Sequence, residues 1–252
     1  MSEPVFWILS LSLQCLVVAA VYVAHEKLSR QEVMLRREAS VLADNTVTQV
    51  ECLLALYADL QPARGFPRTR GWAASPDFLH ALAGVVEARK PKVVVECSSG
   101  LSTLVLASKL RQQGFGHVHS LEHLPEYAQK TRDLLLAHGL EAWATVLDAP
   151  LGQLDLPRWQ GRWYGTGALA DVKEIDLLVV DGPPQDTNEL ARYPAFPVLR
   201  EKLAPGAQVI LDDASRDAEV RIVTRWLAEF PGLERVQAPK CEKGCVIVGL
   251  AV

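Results

Sequence analysis

The sequence predicts an α/β fold, a mostly parallel sheet with helices on both faces, preceded by an N-terminal transmembrane helix. Three observations carry this expectation. From Pro91 onward, short β-branched or apolar runs alternate with helical stretches, the pattern of strands joined by crossover helices. Five of those runs end on an acid: Glu96, Glu122, Asp148, Asp181 and Asp212. Residues 4–24 carry no charge at all. Composition bounds the rest. A chain of 252 residues, 49% hydrophobic with a net charge of −4, suits one globular domain with an appendage and excludes a disordered chain. Five Cys, sparse and odd in number, make no disulfide framework. A slightly acidic chain without a local basic patch gives no pull toward nucleic acid, so no such partner is expected.

The N-terminal stretch, Pro4 to Ala24, reads PVFWILSLSLQCLVVAAVYVA. As a helix it would be about 31 Å long, enough for a hydrocarbon core. Trp7 and Tyr22 sit near its ends, where amphipathic rings suit a membrane interface. A cleaved signal peptide wants a basic start and a small-x-small site. Glu3 is the only charge before the stretch, and Val21-Tyr22-Val23-Ala24 is a poor site. Lys27, Arg30, Arg36 and Arg37 follow it, and no Lys or Arg precedes it. The positive-inside rule then predicts a single-pass membrane protein, its C-terminal part cytosolic and the lipid bilayer its partner.

His25 to Asp59 has helical periodicity. Leu28, Leu35, Leu42 and Leu56 recur at multiples of seven, with Gln49 breaking the series. One reading is a juxtamembrane coiled coil that makes a homodimer. The other is an amphipathic helix lying on the domain or on lipid. The polar or small companion seam (Glu32, Ala39, Thr46, Leu53) favours the second. Gln61 to Gly71 (QPARGFPRTRG) reads as a linker. The expected division is therefore 4–24 anchor, 25–70 juxtamembrane helix and linker, 71–252 domain. Ser75-Pro76-Asp77 opens a helix with Ser as N-cap and Pro in the first turn.

The α/β part then runs in order. Strands are expected at 92–96 (KVVVE), 117–122 (HVHSLE), 143–148 (WATVLD), 175–181 (IDLLVVD) and 207–212 (AQVILD). Helices are expected at 101–113, 125–138 with Gly139 as stop, 189–203 and 214–230. Two last runs, near 234–237 and 246–250, have no long helix between them and predict an antiparallel hairpin at a sheet edge. Cys241-x-x-x-Cys245 lacks a second Cys/His pair to complete a metal site and reads as two ordinary thiols.

Ligands of open α/β sheets bind outside the carboxyl ends of the strands, where these five acids converge. After the first strand the chain reads ECSSGLST: Glu96, Cys97, Ser98, Ser99 and Gly100, then a helix whose first turn holds Ser102 and Thr103. Small side chains let a ligand approach the backbone, and the free N–H groups of a helix start bind polar groups. The G-x-G-x-x-G dinucleotide fingerprint is absent, which argues against an NAD enzyme. Glu122, ending the second strand beside His123, is placed to accept two ribose hydroxyls. Asp148, ending the third, is placed to touch an adenine edge.

These residues resemble class I S-adenosylmethionine-dependent methyltransferases, and more closely the bacterial branch called methyltransferase domain 24. The matching motifs are GWAASPDFL (71–79), VVVECSSGLSTLVLA, HVHSLEH (117–123), IDLLVVDGPP (175–184), ARYPAFPVL (191–199) and VILDDASR (209–216). The resemblance implies a Rossmann-like, doubly wound, seven-stranded sheet with an antiparallel last strand. It also implies methyl transfer from S-adenosylmethionine, with Glu96, Cys97, Ser98, Ser99, Gly100, Ser102, Thr103, Glu122, His123 and Asp148 on the cofactor side. Family members usually carry Gly where this chain has Ser98.

Asp181 and Asp212 are the expected catalytic residues, because the strands that they end lie beside the methyl group in such folds. Asp181, Asp212 and Asp213 also follow the layout of metal-dependent catechol-type O-methyltransferases, where three carboxylates suit Mg²⁺. An acid–base role for Asp181 without metal is the competing reading, and no residue is assigned as a metal ligand. Trp159, Trp163, Tyr164, Arg192 and Tyr193 either shape an acceptor pocket or cover the sheet. The acceptor is expected to be a small molecule or membrane-associated. A non-catalytic tethered scaffold on a degenerate fold is the other functional class kept open.

Overall fold

A computed structural model describes residues 3–69, 71 and 73–250, apart from the side chains at 5, 6, 9, 10 and 12. Arg70 of the expected linker and Trp72 of the first motif lie outside the described residues. The chain divides into two compact units, Met1–Thr48 and Gln49–Val252.

The first unit is helical. Helix α1 runs without interruption over Glu3–Leu60, 58 residues, so it continues into the second unit. Exposed i,i+4 pairs support it: Arg30 with Glu26 at 3.3 Å and Arg36 with Glu32 at 2.6 Å. The expected membrane span is overturned. Among the described residues, no helix is long and apolar enough to cross a membrane. The helix runs on past the uncharged stretch into Glu26, Lys27 and Arg30. The single-pass topology and the cytosolic orientation fall with it, since charge asymmetry orients a chain only when there is a span to orient.

The second unit is built on a seven-stranded sheet of order β3-β2-β1-β6-β7-β9-β8. Its strands are β1 (Val93–Cys97), β2 (His117–Glu122), β3 (Ala144–Asp148), β6 (Ile175–Val180), β7 (Leu203–Asp212), β8 (Leu233–Val236) and β9 (Cys245–Leu250). The first five are parallel; β9 pairs antiparallel with both β7 and β8. This is the Rossmann-like, mostly parallel sheet that the sequence predicts, closed by the expected edge hairpin. The chain leaves β1 toward β2 and β3, then returns to β6 on the other side. The crevice of the sheet therefore opens between β1 and β6.

Both faces are covered, so the strands read as continuous apolar runs. On one face lie the end of α1, α2 (Pro76–Arg89), α3 (Leu101–Gln113) and α4 (Pro125–His138), packing Leu56, Phe78, Leu104 and Leu135 on Val94, Val118 and Leu177. On the other lie α5 (Ala195–Leu199), α6 (Asp217–Glu229) and the small hairpin β4 (Leu151–Leu156) with β5 (Trp159–Tyr164). They bury Phe196, Trp226 and Trp163 against Val95, Leu178 and Val209.

Three local expectations need correction. The helix expected over 189–203 shrinks to α5, because Pro194 and Pro197 remove backbone donors in its middle. The stretch 149–174, not assigned to any element, contains the β4–β5 hairpin. Ser75 does stand at the N-cap of α2, but its hydroxyl donates to Asp77 Oδ1 at 2.6 Å rather than capping a helix N–H.

Candidate active site

The carboxyl ends of β1, β2, β6 and β7 open on one cavity of about 880 Å³. Of the residues expected on the cofactor side, Ser98, Ser99, Glu122 and His123 line it, and so do both expected catalytic acids, Asp181 and Asp212. Glu122 is held in place. Its Oε1 accepts from the backbone N–H groups of His123 (2.8 Å) and Leu124 (3.0 Å), and its Oε2 from the Ser99 hydroxyl (3.0 Å).

Glu96, Cys97, Gly100, Ser102 and Thr103 do not line the cavity; they form its support. Glu96 is fully buried, and its Oε2 accepts from the hydroxyls of Thr103 (2.6 Å) and Ser120 (2.7 Å). Thr103 Oγ1 accepts in turn from Gly100 N at 3.0 Å, which fixes the loop against the start of α3. Burial pushes the Glu96 carboxyl up to about 7, opposed by hydrogen bonds from Ser102, Ser120 and Thr103. Burial also raises the Cys97 thiol, which is therefore an inert packing group. Asp148 is not brought to the cavity either. Its side chain is exposed, and Oδ1 accepts from Arg132 at 2.8 Å.

Two backbone features shape the floor. Ser98 holds φ +115°, a conformation that suits glycine. Gly182 sits under Tyr164: a Cβ there would lie 2.3 Å from the Tyr164 hydroxyl and 3.2 Å from the Cys97 carbonyl oxygen, so only glycine fits. Tyr164 lines the cavity from the hairpin, whereas Trp159, Trp163 and Tyr193 are buried in the core beneath.

At the other end, Asp181, Asp212 and Asp213 each offer an oxygen within 4.8 Å of the others. Arg192, 4% exposed, lies among them. It donates to Asp213 Oδ2 (2.9 Å), Asp181 Oδ1 (3.2 Å) and the Asp212 carbonyl (3.0 Å). Burial pushes the Asp181 carboxyl up to about 6, although Arg192 pulls it down. Burial, then the charges of Asp181 and Asp213, push Asp212 up to about 8. Acids with shifted pKa values cluster at functional sites. Sequence reasoning did not find Arg216 and Lys243, which also line this end. Lys243 arrives from the turn before β9, and no local pattern signals that approach.

The family described as a methyltransferase domain matches residues 95–214, the segment that carries β1 through β7. This segment therefore resembles a methyltransferase domain. No curated protein matches the chain. Among solved structures, the chain is similar in fold to the SAH-bound methyltransferase of Podospora anserina, with a TM-score of 0.56 at 16% identity, covering 80% of this chain and 88% of that one. A methyltransferase of Geobacter sulfurreducens gives 0.53 at 14% identity, covering 81% and 89%. The SAM-complexed O-methyltransferase from Streptomyces achromogenes involved in tomaymycin synthesis gives 0.50 at 17% identity, covering 80% and 90%.

The residues present fit S-adenosylmethionine. The cavity lies within the range that encloses a ligand of that size. Ser98, Ser99, Ala73 and Ala74 leave room along the backbone, and Glu122 presents a fixed carboxylate at the wall. Leu124 and Tyr127 line the same side and supply apolar surface.

Proposed function

We propose that the chain transfers the methyl group of S-adenosylmethionine to a hydroxyl oxygen of a small acceptor seated over Asp181 and Asp212. One observation carries this reading: the Glu122 wall and the two buried carboxylates of Asp181 and Asp212, both raised by burial, share a single cavity. S-adenosylmethionine, when bound, supplies the electrophilic methyl carbon. The protein contributes position and a proton acceptor. Glu122 and the 98–100 loop orient the donor. Asp181 and Asp212 titrate as a pair, so near pH 7 one is ionised and the other carries the proton. The ionised member accepts the acceptor hydroxyl's proton as the oxygen attacks, and the protonated member donates a hydrogen bond to the same oxygen. Arg192 keeps the pair at a fixed separation from the floor of the cavity. Tyr164 lines the cavity with its ring 5.9 Å from that of His123.

The test is incubation of the full chain with methyl-labelled S-adenosylmethionine and a small-molecule extract of the source cell. Label entering an organic product as a base-stable methyl ether supports the reading. Asp181→Asn is then expected to slow transfer by about 10²–10⁴ with unchanged donor affinity. A product labelled only at nitrogen, or an Asp181→Asn variant as active as the parent, would overturn it.

A further inference from the structure

The acid triad Asp181, Asp212 and Asp213 has the spacing to hold a hard divalent cation, and the catechol-type layout implies one. The side chains present do not fit that role. We propose that Arg192 occupies the place of the cation, so that the site is built to work without a divalent metal. This rests on the methyl-transfer reading above.

A guanidinium offers five N–H donors in a planar fork that can bridge carboxylates. Here the fork spends its two terminal nitrogens on the triad. Nη2 donates to both Asp181 and Asp213, and Nη1 takes the Asp212 backbone carbonyl. Nε lies 3.8 Å from Glu219 Oε1, which adds a fourth acid behind the triad. Arg216 reaches Asp213 Oδ2 as well, at 3.0 Å. One oxygen of Asp181 and one of Asp213 are thus committed to positive side chains, Asp212 Oδ1 accepts from Asp213 N at 2.7 Å, and Lys243 adds a third positive charge to the lining. A cation entering the triad would have to displace Arg192 and bring two positive charges beside it. The guanidinium is itself buried, and the acids outweigh the desolvation that burial imposes, so its charge is kept.

Placement in the chain supports the assignment. Arg192 comes from the segment between β6 and α5, where Trp226 Nε1 holds the adjoining Tyr193 carbonyl at 2.9 Å. Pro194 follows directly. The guanidinium is therefore delivered by packed backbone rather than by a free loop. Arg192 is a positioning residue: it sets the spacing of Asp181 from Asp213 and leaves the Asp212 side chain to meet the acceptor.

The experiment uses Mn²⁺ as the probe, read by electron paramagnetic resonance on the full chain. The parent protein is expected to leave the Mn²⁺ spectrum that of the free ion. Arg192→Met, checked for folding by circular dichroism, is expected to bind Mn²⁺ at least about tenfold more tightly, because three carboxylates lose their counter-charge. Arg192→Lys keeps one charge but cannot span both carboxylates, and serves if the Met variant does not fold; a smaller gain is expected. Mn²⁺ binding by the parent that Asp213→Asn removes would overturn the proposal. So would a folded Arg192 variant that gains none. Calorimetric titration with S-adenosylmethionine, with and without chelator, separates the two claims. Chelator-insensitive binding is expected. Absence of any donor binding would sink the methyl-transfer reading and leave the Mn²⁺ result to judge Arg192.

Discussion

Ser98 holds φ +115° on the floor of the cavity, where an L side chain is strained. Its amide is committed, donating to the Leu121 carbonyl at 3.0 Å, so the backbone cannot relax without breaking the link between β1 and β2. Its hydroxyl makes no hydrogen bond to another described residue. Ser98→Gly therefore removes strain and little else. Relief of a side chain held in such a conformation is worth about 1–3 kcal/mol. The extra freedom that glycine gives the unfolded chain returns about 0.4–1 kcal/mol. The balance is a stabilisation of about 1 kcal/mol, or about 2–4 °C in Tm for a domain of this size. Differential scanning fluorimetry of both proteins without ligand reads it directly. The same change takes a Cβ from the cavity wall, so affinity for S-adenosylmethionine should rise or stay equal. A Ser98→Gly variant that melts lower than the parent would refute the strain argument and point to a contact made by the hydroxyl.

Two further outcomes follow from burial. Asp212 has its carboxyl raised from 3.8 to about 8, so between these pH values the native state holds a proton that the unfolded chain has lost. Stability should then fall as pH rises through that window. Asp212→Asn, which stays neutral, should gain on the parent by on the order of 1 kcal/mol or more at pH 8 and by nothing at pH 4, measured by urea denaturation at each pH. Equal pH slopes would contradict the buried-acid assignment. Leu56, fully buried near the end of α1, packs with Phe78 and Leu104. Leu56→Ala should cost about 2–5 kcal/mol in the same assay, and a loss within error would mean that this turn of α1 is not part of the core.

The sheet is legible because both of its faces are covered, which gives β1, β6 and β7 the apolar runs 93–95, 177–180 and 209–211. The acids at the strand ends were legible because that edge faces solvent and a ligand, where packing alone would not select Glu122, Asp181 and Asp212. Other features escaped local pattern. The β4–β5 hairpin carries Gly152 and Gly161 within its strands, which blurs the period-two alternation. Asp148 was assigned to the cofactor because it ends a strand, yet its neighbour Arg132, one helix away, claims it. Glu96 ends a strand as well, but its side chain turns to the hydroxyls of Thr103 and Ser120. Arg192 was named from its motif, while its junction with three acids spread over residues 181–213 is a tertiary fact.

Isothermal titration of the full chain with S-adenosylmethionine, repeated on Glu122→Ala, tests the central claim most directly. Saturable binding at a single site is expected. Glu122→Ala should weaken it by about 1.5–3 kcal/mol, roughly ten- to a hundredfold, for the loss of hydrogen bonds to a charged acceptor. No binding by the parent, or a folded Glu122→Ala variant with the parent's affinity, would contradict the assignment of this cavity to the methyl donor.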